Sequence, residues 1–200
     1  MTRERNVRSR IVEKSLKVVE ARGAEAVSLR EIARSLDVST GAPYKHFPGG
    51  RVQVLGEVAA EGFADLEAAL IEALQSARRS AQSARDLVGA AYVNFATARP
   101  QLFRLMFSQP IDAVNPVLSS ARDGAYARLI EAITIDQAAG LCEPGDARTI
   151  ALDSWVRAHG LSVLLNDGQI ESRLVPPMDV SALMRLVFRA EPPGETSPPL

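Results

Sequence analysis

Apolar residues recur along this chain at intervals of three and four, and no stretch alternates apolar with polar residues over the length of a strand. That period confines the fold to packed helices. The clearest stripe is Leu29, Ile32, Ala33 and Leu36, the i, i+3, i+4, i+7 spacing of one helix face. It follows Ser28-Leu-Arg-Glu31, a capping box in which each end would satisfy the other's backbone donor, with Val27 and Ile32 at the staple positions. A first helix is expected over residues 5–22, with Val7, Ile11, Leu16 and Val19 near one face and Gly23 ending it. After Asp37-Val38, Ser39 reads as the N-cap of a short third helix over residues 40–46.

Pro48-Gly49-Gly50 interrupts the chain before a long fourth helix, residues 51–77, striped by Leu55, Val58, Phe63, Leu66, Leu70 and Leu74. At 1.5 Å per residue it reaches about 40 Å, enough to join a head to a body. The fifth helix carries Leu87, Val88, Ala91, Tyr92 and Phe95, and Pro100 opens a sixth with Phe103, Leu105, Met106 and Phe107. Asn115-Pro116 caps and starts a seventh, which runs through Tyr126, Leu129 and Ile133 to Gly140. The eighth spans 146–166 and the ninth 179–190. Helix 8 is apolar or small on both sides, with Trp155, Val156, His159 and Val163 on one and Ala151, Ser154, Ala158 and Leu161 on the other. This suits a helix held between its own core and a partner. The reading is therefore all-α with about nine helices: a three-helix head over 1–50, a helical body over 51–190, and a proline-rich tail over 191–200 expected to be disordered.

Charge sharpens this division. Residues 1–51 hold eleven Lys and Arg against six Asp and Glu, whereas residues 52–200 hold twelve against eighteen. A basic head suited to a polyanion thus precedes an acidic body, in which a neutral or cationic apolar ligand would be better tolerated than an anion. No apolar run approaches the roughly 20 residues of a membrane span, and one cysteine, Cys142, allows no internal disulfide, so a reducing, cytoplasmic setting without membrane contact is expected. With His46 and His159 the only histidines, there are too few ligands for zinc. Ser154 and His159 lie five apart on one helix and point in different directions. No nucleophile elbow or phosphate loop appears, so neither an enzyme nor a cofactor is expected.

Two short helices joined by about three residues on a basic head describe a helix-turn-helix, whose second helix enters the major groove. Val38, Pro43 and Phe47 can turn inward, leaving Thr40, Ala42, Tyr44, Lys45 and His46 outward. These offer a small apolar group for a thymine methyl, a phenol and an ammonium for phosphates, and an imidazole for either. Gly41 would let the backbone approach DNA closely. On periodicity alone, a solvated helix end accounts for the same residues equally well. In the body, Tyr92, Phe95, Phe103, Met106, Phe107, Tyr126, Leu129, Trp155 and His159 are candidates for a ligand pocket, with Asn94 and Arg104 as polar anchors. Core packing is the competing account of each, and His159 reads first as a hydrogen-bonded core histidine.

The run Ser28-Leu-Arg-Glu-Ile-Ala-Arg-Ser-Leu-Asp-Val-Ser-Thr-Gly-Ala-Pro-Tyr-Lys-His-Phe47 closely resembles the DNA-binding head of the TetR/AcrR family of bacterial transcriptional regulators. The Ile-Ala pair, the Val-Ser turn, Gly41 and the Tyr44-to-Phe47 ending stand at that family's spacing. Leu102-Phe-Arg-Leu-Met-Phe107 and Trp155-Val-Arg-Ala-His-Gly160 resemble the regulatory domain of the branch named for its Trp-His-Gly pattern. The resemblance implies a homodimer joined through helices 8 and 9, binding a palindromic double-stranded operator and acting most simply as a repressor released by a small apolar effector of unspecified identity. It places DNA contacts on Ser28, Arg30, Thr40, Gly41, Ala42, Tyr44, Lys45 and His46. Where the family usually has a phosphate-binding lysine this chain has Gly50, so Arg51 is expected to take that role after a one-residue insertion. A helical adaptor or scaffold with a generic basic surface is the rival reading, and it gives no reason for Tyr44, Lys45 and His46 beside a basic arm.

Overall fold

A computed structural model of the protein describes residues 2–108, 116–170 and 179–187, and all regular structure among them is helical. The elements are α1 Thr2–Arg22, a 3-10 turn Ala24–Ala26, α2 Leu29–Ser35, α3 Ala42–His46, α4 Gly50–Arg79, α5 Ala84–Ala98, α6 Pro100–Met106, α7 Pro116–Ala138, α8 Ala147–Asn166 and α9 Val180–Val187. The expected Asn115 cap, the end of the ninth helix at 190 and the 191–200 tail lie outside the described residues.

Local chemistry explains most boundaries. Ser28 caps α2 by accepting the Glu31 N–H at 3.5 Å. The reciprocal half of the expected box is not made among the described residues, so the cap is one-sided. Helix α2 ends in a Schellman turn: the Asp37 N–H donates to Arg34 O at 3.2 Å and the Val38 N–H to Ala33 O at 3.1 Å. Asp37 holds the left-handed position, φ 55°, which a short polar side chain tolerates better than a branched one. Helix α3 begins at Ala42 rather than Thr40, and Ser39 acts through its carbonyl, which accepts the Ala42 N–H at 2.9 Å, instead of as a side-chain cap. Helix α1 starts three residues before the expected Arg5.

In the head, Ile11, Val12 and Val19 of α1, Leu29, Ile32 and Ala33 of α2, and Phe47 pack on Val54, Leu55 and Val58 of α4. Phe47 is fully buried. The Arg8 guanidinium lies 4.9 Å from its ring centroid and also donates to Glu57 at 2.8 Å, so one cation ties α1 to the end of α3 and to α4.

The same α4 continues into the body, where α5, α6 and α7 pack against it and α8 packs against α5 and α7. Two polar devices fix the joints. The buried Asp136 carboxylate of α7 accepts from Ser83 Oγ at 2.6 Å, the Ala84 N–H at 2.7 Å and the Arg85 N–H at 3.0 Å, which satisfies the free donors at the N-terminus of α5. At the junction of α5 and α6, Arg99 donates to Glu20 of α1 and Asp65 of α4, each at 2.7 Å. Helix α6 lies close to α4: a Cβ on Gly62 would stand 2.8 Å from Met106 Sδ, so a larger residue there would make the Met106 side chain move.

The Schellman turn sets the angle between α2 and α3, and its αL residue can be tested. Asp37→Val should lower unfolding stability by about 1–2 kcal/mol through backbone strain, whereas Asp37→Gly should match or exceed the natural chain. Urea midpoints of the two variants compared with the parent check both signs.

Candidate nucleic-acid interface and body cavity

The outward face of the helix-turn-helix is set by what turns inward. Pro43 and Phe47 of the α3 segment are buried, as their spacing predicts, and Val38 is half-buried. Thr40, Gly41, Tyr44 and Lys45 are exposed, Tyr44 at 49%, while Ala42 and His46 are partly so. A Cβ on Gly41 would meet nothing within 4 Å, which leaves the backbone open to close approach. Arg30 and Arg34 on α2 and Lys45 on α3 are exposed and have no carboxylate partner among the described residues. Elsewhere the arginines are mostly engaged: Arg8 with Glu57, Arg78 with Glu131, Arg99 with Glu20 and Asp65, Arg128 with Glu67 and Glu131, Arg157 with Asp153.

Two expected contacts also hold the fold. The Ser28 hydroxyl oxygen caps α2 by accepting the Glu31 N–H, and its own O–H remains a donor. Arg51, expected in the place of the missing lysine, has its guanidinium donating to Ala24 O at 2.8 Å, Val27 O at 3.2 Å and Glu25 at 3.2 Å, which ties the 3-10 turn to α4. Those carbonyls end a turn with no helix to continue it, and a planar fork of donors is well shaped to satisfy several at once. The departure at position 50 is equally structural. Gly50 has φ 62° and closes a turn by donating to Phe47 O at 2.8 Å, while Gln53 accepts the Gly49 N–H at 2.9 Å. A lysine at position 50 would be strained in this backbone.

The body encloses a cavity of about 350 Å³ between α4, α5, α7 and α8. Of the nine expected ligand residues, Tyr92, Phe107, Tyr126, Leu129 and Trp155 line it. Phe103 and His159 instead line a second cavity of about 210 Å³, which shares Phe107 with the first and is crossed by the Arg104–Asp167 ion pair at 3.3 Å. Met106 is core, packed on Gly62, and Phe95 lies beneath the Arg99 guanidinium, 5.4 Å from its ring centroid. Asn94 is exposed and lines neither cavity. The sequence reading missed the α4 wall, Phe63, Leu66 and Leu70, and the polar lining Arg85, Arg122, Asp123 and Ser154. The α4 stripe was visible as a stripe, but its period does not distinguish a packed face from a face beside a void.

One polar chain crosses the aromatic wall. Trp155 Nε1–H donates to the Tyr92 oxygen at 3.2 Å, and Tyr92 lies 2.8 Å from His159 Nδ1. Indole can only donate, so the Tyr92 oxygen is the acceptor of that bond, while the direction of the Tyr92–His159 bond follows the histidine tautomer. Burial holds His159 below its ordinary range and Tyr92 above its own, the bond from Trp155 partly opposing the latter. Around them the rings of Phe103, Phe107, Trp155 and His159 meet at centroid distances of 4.6 to 6.3 Å. Among the described residues no three His, Cys, Asp or Glu side chains are grouped to hold a metal ion, and no helix is long and apolar enough to cross a membrane.

Comparison with known proteins adds the following. The family model described as bacterial regulatory proteins, tetR family, matches residues 11–58, and the one described as tetracyclin repressor-like, C-terminal domain, matches residues 86–190. No curated protein matches the sequence. Among solved structures, a protein of unknown function from Rhodococcus sp. RHA1 is 31% identical, with 92% of this chain and 94% of that one covered and a TM-score of 0.77. The tetR family transcriptional regulator PfmR from Thermus thermophilus is 23% identical over 90% and 97% of the chains, TM-score 0.58. The transcriptional regulator FadR from Bacillus subtilis, solved in complex with stearoyl-CoA, is 15% identical over 90% and 95%, TM-score 0.62, a likeness of fold alone.

The buried histidine gives a signed pH dependence. Because its folded-state pKa lies below the ordinary 6.5, the unfolded chain takes up that proton more readily as pH falls below 6.5, and native stability declines there. His159→Gln should show a shallower loss of stability between pH 7.5 and 5.5 than the parent in urea titrations. Equal slopes would show that His159 does not contribute.

Proposed function

The chain belongs to the tetR family of bacterial regulatory proteins, non-enzymatic DNA-binding transcriptional regulators, and from that premise we propose that it is a homodimeric repressor of a palindromic operator, released when an apolar ligand fills the body cavity. The observation that carries the DNA reading is the contrast in pairing. Arg30, Arg34 and Lys45 stand exposed without carboxylates among the described residues, on a helix-turn-helix, whereas most arginines outside it are paired. Cations left unpaired at a surface are available to displace counterions from phosphates. The contact set is Ser28, Arg30, Thr40, Gly41, Ala42, Tyr44, Lys45 and His46, with Arg51 beside it at the start of α4 and the first turn of α3 presented to base edges. The DNA-binding unit is residues 1–50 and the regulatory unit 51–190, with α4 crossing between them.

The dimer reading rests on α8 and α9. Leu152, Val156, Val163 and Leu164 of α8 are exposed, Val156 at 61%, and Leu186 of α9 is exposed at 50%. A Cβ on Gly160, in the same stripe, would meet nothing within 4 Å, so a partner helix could come close. Leu161 points the other way, 5% exposed, and belongs to the protomer core. Release follows from shared walls. Phe63, Leu66 and Leu70 line the cavity on the helix whose Val54, Leu55 and Val58 form the head core, so a ligand that shifts the cavity wall shifts the head.

Selection of duplexes from a random library by the purified protein should enrich a two-fold-symmetric site. Tyr44→Ala with Lys45→Ala should weaken binding to it and reduce the salt slope by about one, while leaving the dimer intact. Unchanged affinity would remove α3 from the interface. Val156→Glu and Leu186→Glu should each give folded monomers by sedimentation, and a stable dimer would overturn the α8–α9 assignment.

A further inference from the structure

The fold treats the two buried polar side chains of the cavity lining, Tyr92 and Ser154, differently. The Tyr92 hydroxyl is bonded to both Trp155 and His159. Ser154 is 3% exposed, and its side chain makes no hydrogen bond among the described residues. The other buried serines show what a helix offers such a residue. Ser15 donates to the Ile11 carbonyl at 2.7 Å and Ser162 to the Ala158 carbonyl at 2.8 Å, each one turn back. The Ile150 carbonyl stands in that relation to Ser154 and receives no bond from its hydroxyl. Among the described residues the side-chain atoms both sealed and unbonded are Arg85 Nε and Arg128 Nε. Ser154 Oγ is not one of them, so it keeps some open surface, and the space beside it is the cavity.

The same space is walled by rings. Of the one Trp, three Tyr and six Phe in the sequence, five line this void. Four of them form a continuous arc: Phe63 stands edge to face with Phe107 at 5.3 Å, Phe107 lies 6.3 Å from Trp155, and Trp155 stands edge to face with Tyr126 at 6.0 Å. Ser154 directly precedes Trp155, and neighbouring residues of a helix project about 100° apart, so hydroxyl and arc border one space. Rings that meet edge to face or offset attract beyond the area they bury, an increment that a saturated body of the same size does not receive. The charged lining groups are committed elsewhere: Asp123 is exposed to solvent, Arg85 donates to Glu143 in the segment between α7 and α8, and Arg122 has a partner of its own. At about 350 Å³ the void falls in the range of pockets for small organic ligands, roughly 300–1,000 Å³.

Resting on the cavity reading above, we infer that the ligand is a neutral aromatic molecule with one hydrogen-bonding group, a hydroxyl or carbonyl, its ring against the Phe107–Trp155–Tyr126 arc and its polar group paired with the Ser154 hydroxyl. A serine hydroxyl both donates and accepts, so it serves either group. An occupant with apolar surface alone strands that hydroxyl. One that carries a charge strands the charge, because no charged residue is among the buried lining.

Three molecules test the inference: 2-naphthol, naphthalene, which lacks the hydroxyl, and decahydro-2-naphthol, which lacks the aromatic rings. Each is held below its solubility limit in a calorimeter cell while the full chain is titrated in. 2-Naphthol should bind about threefold to tenfold more tightly than naphthalene, the range to which a net neutral hydrogen bond converts. It should exceed decahydro-2-naphthol by about twofold to tenfold through ring contacts. Ser154→Ala should bring 2-naphthol down to the affinity of naphthalene, and Ser154→Thr, which keeps a hydroxyl, should keep a preference, with circular dichroism reporting folding. Equal affinity for 2-naphthol and naphthalene in the parent chain, or a preference that survives Ser154→Ala, overturns the Ser154 assignment. Decahydro-2-naphthol binding as tightly as 2-naphthol overturns the aromatic class. Each of these results leaves the cavity reading standing, whereas failure of all three molecules to bind removes that reading as well.

Discussion

The continuous apolar stripe of α4 is the constraint on which the rest depends. Thirty residues at 1.5 Å each make a rod of about 45 Å, and its buried positions run from Val54 through Leu66 to Leu74 without a break. Head and body therefore share one rigid wall. Around it the ion pairs of Arg8 and Arg99 set orientation more than stability, since exposed and half-exposed pairs contribute about 0–1 kcal/mol each, whereas full burial of one Phe or Leu is worth about 1.5–3 kcal/mol. Arg99 matters by position: it clamps α1 and α4 where α6 begins, and α6 lies against Gly62 midway along the rod. A displacement at Phe107, just beyond α6, thus meets α4 directly, through the Phe63 ring 5.3 Å away.

Polar groups inside an apolar body need a reason, and here they have two. Asp136 accepts three hydrogen bonds that end α5, and the Trp155–Tyr92–His159 chain links three rings between the two cavities. Such networks specify geometry at little net energetic gain.

Much of this was legible in the sequence for a definite reason. Amphipathic period, proline and glycine punctuation and the Ser28 cap act through neighbours three or four residues away, so helices and the helix-turn-helix follow from local pattern. The regulatory family followed from residues 28–47. Less legible were features that depend on direction or on empty space. Arg51 could be placed near the start of α4, but only the fold shows its guanidinium turning back to Ala24 and Val27. Gly50 looked like a departure needing compensation, and it is a left-handed turn residue. Phe95 and Met106 have the same composition and spacing as Tyr92 and Phe107, yet two pack against the body's own side chains and two line a void, because a cavity is a mismatch between stripes on different helices.

Helix α8 shows how tightly the inner and outer tasks are joined. Ser154, Trp155 and Ala158 line the cavity, Val163 lines the second one, and Val156 and Leu164 face outward. Leu152 belongs to both sets, lining the cavity while half exposed at its rim. A helix about 10 Å across leaves no independent layer between these surfaces. Its sequence must be apolar nearly all round, which is why it lacks the single stripe that α4 shows. Any change in how α8 seats against a ligand is therefore also a change in the surface it offers to a second copy of the chain.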